Sequence, residues 1–227
     1  MDMTSRHWPL LTTMVLALAL FSCGGEEKKS EAPAKDGPGT PAAEGSGEKA
    51  PAPQAEVSSD SIGVLHTTQG KIKIEFFPDK APEHVKNFIT LAKQGFFDGT
   101  YFHRCFPGFM VQGGDPNTKD ADPRNDGLGG HSYKGPGKFL KAEFNKVNHV
   151  RGIVSMARSL DVDSAGSQFF IMVAANPGLN GQYSAFGKVV AGMDVVDKIV
   201  KQPGKPIPGA GGVNPFKHQY IDKITFE

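Results

Sequence analysis

The segment Phe102–Asp115, with the sequence FHRCFPGFMVQGGD, limits the possible folds of this chain more than any other stretch. Its aromatic residues precede a turn signal, Pro107 followed by Gly108, so the segment predicts two short strands that meet at a tight turn. Side chains alternate along a strand, so Arg104 shares a face with the aromatic residues two positions away, and Gln112 shares one with a methionine on the return strand. These polar and apolar side chains can therefore face one concavity.

Charge and cysteine content exclude several classes of function. The chain has 227 residues and a formal net charge of +1, so no global field draws it onto nucleic acid. Its two cysteines, Cys23 and Cys105, are too few for a disulfide framework and lack the spacing of a zinc site. We therefore expect no nucleic-acid partner and no disulfide scaffold.

The acidic clusters and histidines do not predict a metal site. Counting from Asp122 or from Asp161, the residues at the ligand positions of an EF-hand do not match that motif. His103, His131 and His149 lack a spacing that would bring them together as ligands. We expect no bound metal, and structural or surface roles for these histidines.

Residues 1–22 predict a secretory signal peptide of the lipoprotein type. Arg6 precedes the apolar run Leu10–Phe21, which is too short to span a bilayer as a helix. Cys23 follows the small residue Ser22, and this arrangement resembles the lipobox of bacterial lipoproteins. Cys23 is then the expected lipidation site, and its acyl chains would anchor the protein to a membrane. The alternative is ordinary signal cleavage without lipidation.

Residues 23–57 predict a disordered tether. From Gly24 to Val57 the composition shifts to Ala, Glu, Gly, Pro and Lys, with no aromatic residue. Such a segment cannot bury enough apolar surface to offset the conformational entropy lost on ordering. Residues 58–227 then form the folded domain, which is long enough to build one core.

The folded domain begins and ends with clear local patterns. Ile62–His66 and Lys71–Phe77 predict an antiparallel hairpin with one solvated face, because apolar and charged residues alternate in the second segment. Asp79–Gln94 and Met193–Val200 each place apolar residues on one stripe, which predicts two helices packed on a core. A last strand is expected over Tyr220–Phe226.

Three further blocks have strand-like composition between turn signals, namely Arg151–Arg158, Gly166–Val173 and Tyr183–Val190. Short strands at this spacing are typical of a β-barrel or a β-sandwich. A Gly/Pro-rich loop is expected between the second helix and the last strand.

Four linked motifs, HRCFPGFMVQGGD, VSMAR, GSQFFI and FGKV, occur in this order in the chain. On these motifs the region from Ile62 to Phe226 resembles the cyclophilin family of peptidyl-prolyl cis-trans isomerases. The resemblance implies a mainly β fold, an eight-stranded antiparallel barrel closed by two α-helices. It also implies isomerisation of X-Pro bonds in proline-containing peptides and in unfolded or partly folded proteins, without a cofactor.

The resemblance also assigns site residues, each by its position in a matching motif. The catalytic arginine of the family falls on Arg104. The residues expected to bind the substrate are Phe109, Met110, Gln112, Ala157, Arg158, Gln168, Phe170, Leu179 and Tyr183. The chain departs from the family in three places. Tyr183 replaces a pocket histidine, Gly178 stands where many members have tryptophan, and Arg158 replaces an asparagine.

Two interpretations of function remain open. The first is a monomeric, lipid-anchored isomerase of the bacterial cell envelope that faces the periplasm or the cell exterior and assists the folding of exported proteins. The second is a membrane-tethered peptide-binding chaperone, or a structural lipoprotein, in which isomerisation is incidental. Arg104 favours the first interpretation, because pure binding requires the pocket but not a cation that acts on the transition state.

Overall fold

The computed structural model describes residues 61–227, so the assignments of signal peptide, lipidation site and tether lie outside the described residues and stay predictions. The described part of the chain forms ten strands and two α-helices. The strands are β1 (Ile62–Thr67), β2 (Gly70–Phe76), β3 (Arg104–Phe106), β4 (Met110–Gly113), β5 (Ile153–Met156), β6 (Phe169–Met172), β7 (Ala185–Ala191), β8 (Gly204–Pro206), β9 (Val213–Pro215) and β10 (Ile221–Phe226). The helices are α1 (Pro82–Lys93) and α2 (Met193–Val200). Neither helix is long and apolar enough to cross a membrane.

All ten strands belong to one antiparallel sheet with the order β10-β1-β2-β7-β5-β6-β4-β3-β9-β8. The segment just before β3 pairs in turn with the segment just before β10. The Phe102 N–H donates to the Gln219 carbonyl at 3.1 Å, and the Ile221 N–H donates to the Thr100 carbonyl at 2.8 Å. These bonds close the sheet on itself, which removes the open edges between β10 and β3. The mainly β antiparallel fold with two helices is thereby confirmed.

The first hairpin follows the predicted alternation. In β2 the side chains of Ile72, Ile74 and Phe76 are buried, while Lys73 and the other charged residues between them remain partly exposed. The strand pairs with β1 in antiparallel register, with Leu65 opposite Ile72. One face of this hairpin therefore packs on the core and the other contacts solvent, as the period of two requires.

The helices also lie close to their predicted bounds. Helix α1 begins later than predicted, at Pro82, whose missing N–H costs nothing in the first turn. The carboxylate of Glu143, distant in sequence, accepts hydrogen bonds from the N–H groups of Glu83 and His84 at 3.1 and 3.0 Å. A carboxylate at this end also complements the helix dipole. Helix α2 spans Met193–Val200, as predicted.

The strand number is a correction to the prediction. Eight strands were expected, whereas the described residues contain ten, because β8 and β9 form a short hairpin in the segment that was expected to be a loop. Glycine and proline argued against strands there, since proline cannot donate to a ladder. A tertiary contact overrides this local preference, because Val213 of β9 pairs with Cys105 of β3.

The core is built around a cluster of aromatic rings. The ring centroid of Phe88, on α1, lies 5.0 Å from that of Phe97, 5.4 Å from Phe169 and 5.4 Å from Phe186. All four side chains are fully buried. Each such pair adds about 0.5–1.5 kcal/mol beyond the burial of its area. Packing of Phe88 therefore fixes α1 against strands β6 and β7.

Buried histidines, among them His103 and His149, make the stability of this fold depend on pH. Burial lowers the pKa of His103 and of His149 below the ordinary value of 6.5. For His103 the charges of Asp115 and Asp126 act in the opposite direction, but desolvation outweighs them. Both rings therefore stay neutral in the folded protein at pH values where the unfolded chain already binds protons. The free energy of unfolding is fully maintained above about pH 6.5 and decreases as the pH falls below that value.

We expect urea unfolding, followed from about pH 8 to pH 5, to show this loss of stability on the acid side. The variant His103→Leu should show a shallower loss, because an apolar side chain of similar size takes up no proton in the unfolded state. Both proteins must first be compared near pH 8, where the histidines are neutral in either state. Equal slopes for the two proteins would show that burial of His103 does not govern the acid sensitivity.

Candidate active site

The hairpin β3–β4 brings the predicted cation and the predicted amide side chain together. Arg104 pairs with Gln112 across the ladder, and Phe106 pairs with Met110. Opposite residues project to the same face, so all four lie on one side of the hairpin. The turn between the strands is closed by the Phe109 N–H, which donates to the Phe106 carbonyl at 2.9 Å. The predicted pair of short strands with a shared face is therefore present.

A cavity of about 250 Å³ opens beside this hairpin. It gathers residues from β3, β4, β6 and three loop segments. Its lining consists of Arg104, Phe109, Met110, Gln112, Ala157, Arg158, Phe170, Leu179 and Tyr183. Nine of the ten residues that the sequence singled out thus surround a single cavity, although they are spread over 80 positions of the chain.

The floor and walls of the cavity are apolar. Met110 and Phe170 are almost completely buried, with exposed fractions of 2% and 5%. The ring of Tyr183 meets Phe170 edge to face, with centroids 5.5 Å apart, and Phe109 meets Phe106 in the same way at 5.5 Å. Aromatic pairs in this geometry hold each other in fixed orientations. The cavity is therefore pre-formed for a small apolar group such as a pyrrolidine ring.

Arg104 places a cation at the rim of this apolar cavity. Its Nε–H donates to the Gly211 carbonyl at 3.1 Å, and its Nη2 donates to the Ala210 carbonyl. Desolvation lowers the pKa of the guanidinium, but an arginine stays charged at neutral pH even so. Within residues 61–227 it forms no ion pair with a carboxylate, in contrast to Arg124 and Arg151. The charge of Arg104 is therefore held by neutral oxygens and remains available to a ligand.

The tenth predicted residue, Gln168, lies just beyond the cavity and is joined to it through Gln112. The Gln112 Nε2 donates to the Gln168 Oε1 at 2.8 Å. The Gln168 Nε2 in turn donates to the carbonyls of Gly127 and Gly129 at 2.9 and 2.6 Å. Both amide side chains are thus fixed before any ligand arrives, and both also line a neighbouring cavity.

The neighbouring cavity, of about 280 Å³, was not predicted from the sequence. It is lined by the glycine-rich loop 127–130, by the segment from Ala157 to Ser159 and by Phe139. The backbone of the loop is held by Asp115, whose carboxylate accepts from the N–H groups of Gly127 and Gly129. Leu128 is 79% exposed at its edge. These contacts join residues far apart in sequence, so local patterns carried no signal for them.

Arg158 spans the boundary between the two cavities and lines both. Its guanidinium lies over the ring of Tyr183, 4.8 Å from the ring centroid. Its Nε and Nη2 both donate to the Gln182 carbonyl at 3.3 Å, and its Nη1 donates to the Ser159 carbonyl at 2.9 Å. Arginine suits this place because its planar cation can stack on a ring and donate in plane at once.

His149 supports the cavity from behind, a role that the sequence did not identify. Its ring stacks on Phe170 with centroids 6.2 Å apart, and its Nε2 lies 2.8 Å from the Ser155 hydroxyl. The His149 N–H donates to Asn180 Oδ1 at 2.7 Å, which ties the segment after Leu179 to the barrel. A lone histidine gives no sequence signal for such a position, because its partner Asn180 is 31 residues away.

The described residues do not assemble a metal site, since no three His, Cys, Asp or Glu side chains lie close enough to share an ion. Cys105 of β3 is buried, and burial raises its pKa to about 12, so its thiol stays protonated at neutral pH. The groups that line the cavity are therefore two guanidinium groups, one amide side chain, the tyrosine and apolar side chains. Such a set can bind and polarise an amide but supplies no nucleophile.

Comparisons with known proteins agree with this geometry. The family model described as cyclophilin type peptidyl-prolyl cis-trans isomerase/CLD matches residues 63–224. The chain is 45% identical over 168 residues to a probable peptidyl-prolyl cis-trans isomerase of Brucella abortus, covering 72% of this chain and 81% of that protein. It is 41% identical over 162 residues to a peptidyl-prolyl cis-trans isomerase of Arabidopsis thaliana, covering 71% of this chain and 92% of that one.

The fold is also shared with solved structures. A cyclophilin type isomerase of Cryptosporidium parvum, crystallised in the presence of the dipeptide Ala-Pro, superposes with a TM-score of 0.65 at 31% identity. The match covers 73% of this chain and 98% of that structure. Sequence, fold and family model therefore lead to the same conclusion, that this chain belongs to the cyclophilin-type peptidyl-prolyl cis-trans isomerases.

Proposed function

We propose that this isomerase accelerates X-Pro isomerisation in exported or cell-envelope proteins, with Arg104 as its catalytic residue. The observation that carries the catalytic part is the uncompensated guanidinium at the rim of an apolar cavity of about 250 Å³. The cavity is large enough for a proline ring, and a ring bound there would bring its X-Pro amide bond towards Arg104 at the rim.

The chemistry requires only differential binding. An X-Pro bond rotates over a barrier of about 18–20 kcal/mol, and no covalent bond is made or broken. As the C–N bond twists, amide resonance is lost and the proline nitrogen gains a lone pair that can accept a hydrogen bond. Arg104 can donate to this nitrogen in the twisted state but not in either planar state. The interaction therefore stabilises the transition state more than the ground state, which is the condition for a higher turnover.

The remaining site residues bind and orient the peptide. Phe109, Met110, Phe170, Leu179 and Tyr183 enclose the proline ring, while Gln112, Ala157, Arg158 and Gln168 face the chain on either side of it. The fixed Gln112–Gln168 hydrogen bond supports this assignment, because a pre-ordered amide loses little entropy on binding. The Ala-Pro dipeptide used with the Cryptosporidium parvum isomerase is consistent with a proline-sized cavity in this family.

The location outside the cytoplasm rests on the sequence alone. Residues 1–22 have the features of a lipoprotein signal peptide, and the polar segment that follows Cys23 separates it from the folded domain. We propose that Cys23 is acylated, that residues 23–57 form the tether and that the domain acts as a monomer beside the membrane. Its clients are then proline-containing segments of proteins that fold after export.

Removal of the guanidinium tests the catalytic assignment. Arg104→Ala should slow isomerisation about a hundred- to a thousandfold, as loss of one pre-organised donor typically does. Arg104→Lys should recover little, because a point charge cannot reproduce the planar fork. Exchange NMR on a cis/trans peptide reports binding and interconversion separately, and binding should change only several-fold. Near-parental exchange rates in folded Arg104→Ala would instead support the tethered peptide-binding chaperone.

Removal of the Phe109 ring should weaken peptide binding, in contrast to Arg104→Ala, which should mainly slow isomerisation. Phe109→Ala removes apolar area that contacts the ground state, so the Kd for a proline peptide should rise about tenfold, equivalent to about 1.4 kcal/mol. Phe216→Ala is the matched control, because Phe216 is 74% exposed and lies outside the cavity lining. Titration by NMR or calorimetry measures both. Equal affinities for the two variants would remove Phe109 from the binding site.

The location is tested by Cys23→Ser in the full chain. Without the thiol no acyl chains can be attached, so the variant should move from the membrane fraction to the soluble fraction, while the parent resists extraction by high salt. Mass spectrometry of the membrane-bound parent should show an acylated N-terminal cysteine. A parent that is already soluble indicates ordinary signal cleavage, and a variant that stays in the membrane in high salt contradicts the lipobox assignment.

A further inference from the structure

The short hairpin β8–β9 reaches the guanidinium of Arg104 with its tip. We define the tip as residues 207–212, which connect β8 to β9. Two consecutive carbonyls of the tip, those of Ala210 and Gly211, accept hydrogen bonds from Nη2 and Nε of Arg104. The tip is about 106 residues away from Arg104 along the chain. The contact therefore exists only because the hairpin folds back over β3.

The base of the hairpin is anchored to the barrel. Val213 pairs with Cys105 of β3 and, within the hairpin, with Pro206. The Asn214 side chain donates to Asp126 at 2.7 Å, and Asp126 also accepts from the Tyr101 hydroxyl at 2.5 Å. The barrel residue Tyr101 is buried. The strands that carry the tip are thus held in place by β3 and by the buried Tyr101.

Glycine allows the tip to lie this close to β3. At Gly212, which has a φ of +76°, a Cβ would lie 2.7 Å from the Cys105 carbonyl oxygen. At Gly211 a Cβ would lie 2.9 Å from the ring of Phe106. The Ile207 N–H donates to the Gly212 carbonyl at 3.1 Å and closes the turn. The backbone therefore approaches β3 closely, with its two free carbonyls directed at the guanidinium.

Neutral acceptors suit this task better than a carboxylate. An arginine has five N–H donors in a rigid fork, and the tip occupies Nε and one position on Nη2. The remaining donors stay free for the substrate. A carboxylate partner would also fix the side chain but would neutralise much of the charge that must act on the twisted amide. The carbonyls orient the cation and leave its charge in place.

We propose that the carbonyl oxygens of Ala210 and Gly211 are positioning groups, which hold the Arg104 guanidinium in the orientation that reaches the proline nitrogen. This inference rests on the proposed catalytic role of Arg104. The tip itself does not touch the reacting atoms. Its contribution is to fix the donor before the substrate binds, so its loss should lower turnover and leave peptide affinity nearly unchanged.

The main test replaces residues 207–212 with a two-residue Asn-Gly turn, which removes both acceptors and suits a short hairpin between β8 and β9. A second variant, Gly212→Ala, keeps the length and pushes the tip away from the Cys105 carbonyl. Gly209→Ala is the matched control, because Gly209 has a similar φ of +72° but open space around its Cβ position. All variants are compared by thermal unfolding before kinetics, so that loss of fold is distinguished from loss of positioning.

Exchange NMR on a proline peptide should show interconversion slowed about tenfold or more in the Asn-Gly variant and in Gly212→Ala, with Kd within about twofold of the parent. Gly209→Ala should match the parent. The Nε–H signal of Arg104 gives a readout independent of activity, since its protection from solvent exchange should disappear in the two disruptive variants. In an Arg104→Ala background the same tip changes should have no further effect on the rate.

Three outcomes separate the possible failures. If Arg104→Ala itself has parental rates, the proposed catalytic role is wrong and the positioning role falls with it. If Arg104→Ala is slow but the Asn-Gly variant is as fast as the parent, the positioning role alone is wrong. If the Asn-Gly variant is faster than the parent, the tip restrains Arg104 against the reaction, and the contact is inhibitory.

Discussion

The backbone hydrogen bonds that join the segments before β3 and β10 are the constraint on which the rest of the structure depends. They connect Thr100 and Phe102 with Gln219 and Ile221, and so close the sheet. Closure fixes β3 in the barrel wall, and β3 carries Arg104. The same closure brings the segment after α2 next to β3, where β9 can pair with it. Barrel closure therefore holds Arg104, the apolar cavity and the β8–β9 hairpin in fixed positions relative to one another.

The site combines a pre-formed apolar cavity with the guanidinium of Arg104, which has only neutral hydrogen-bond partners among the described residues. Such an arrangement is costly for stability, because the guanidinium is partly desolvated without an opposite charge. It is useful for catalysis, because the unused charge can act on a group that gains electron density only in the twisted state. His149 supports Phe170 from behind, and Arg158 lies over the ring of Tyr183. These contacts hold the cavity walls in place, so a proline ring can bind without first ordering the side chains around it.

Most elements of the fold could be predicted because burial leaves a periodic trace in the sequence. The alternation of Ile72, Ile74 and Phe76 with charged residues marked β2, and the apolar stripe of Met193–Val200 marked α2. The prediction failed at β8 and β9, where glycine and proline dominate. Short strands of this composition show no apolar period, and the strand β3, with which β9 pairs, lies about 100 residues earlier in the chain, so only the tertiary contact with Cys105 reveals them.

The sequence by itself determined the family, the two helices, the strands other than β8 and β9, and the identity of the residues that surround the main cavity, because linked motifs and local periodicity contain that information. The tertiary structure alone decided how those residues are held. It placed Gln168 in the wall of the second cavity, His149 behind the aromatic wall of the first, and the carbonyls of Ala210 and Gly211 on Arg104. These contacts use backbone atoms or single polar side chains across long separations in the chain. No local pattern encodes them, because a carbonyl oxygen is common to every residue and only its position in the fold makes it a partner.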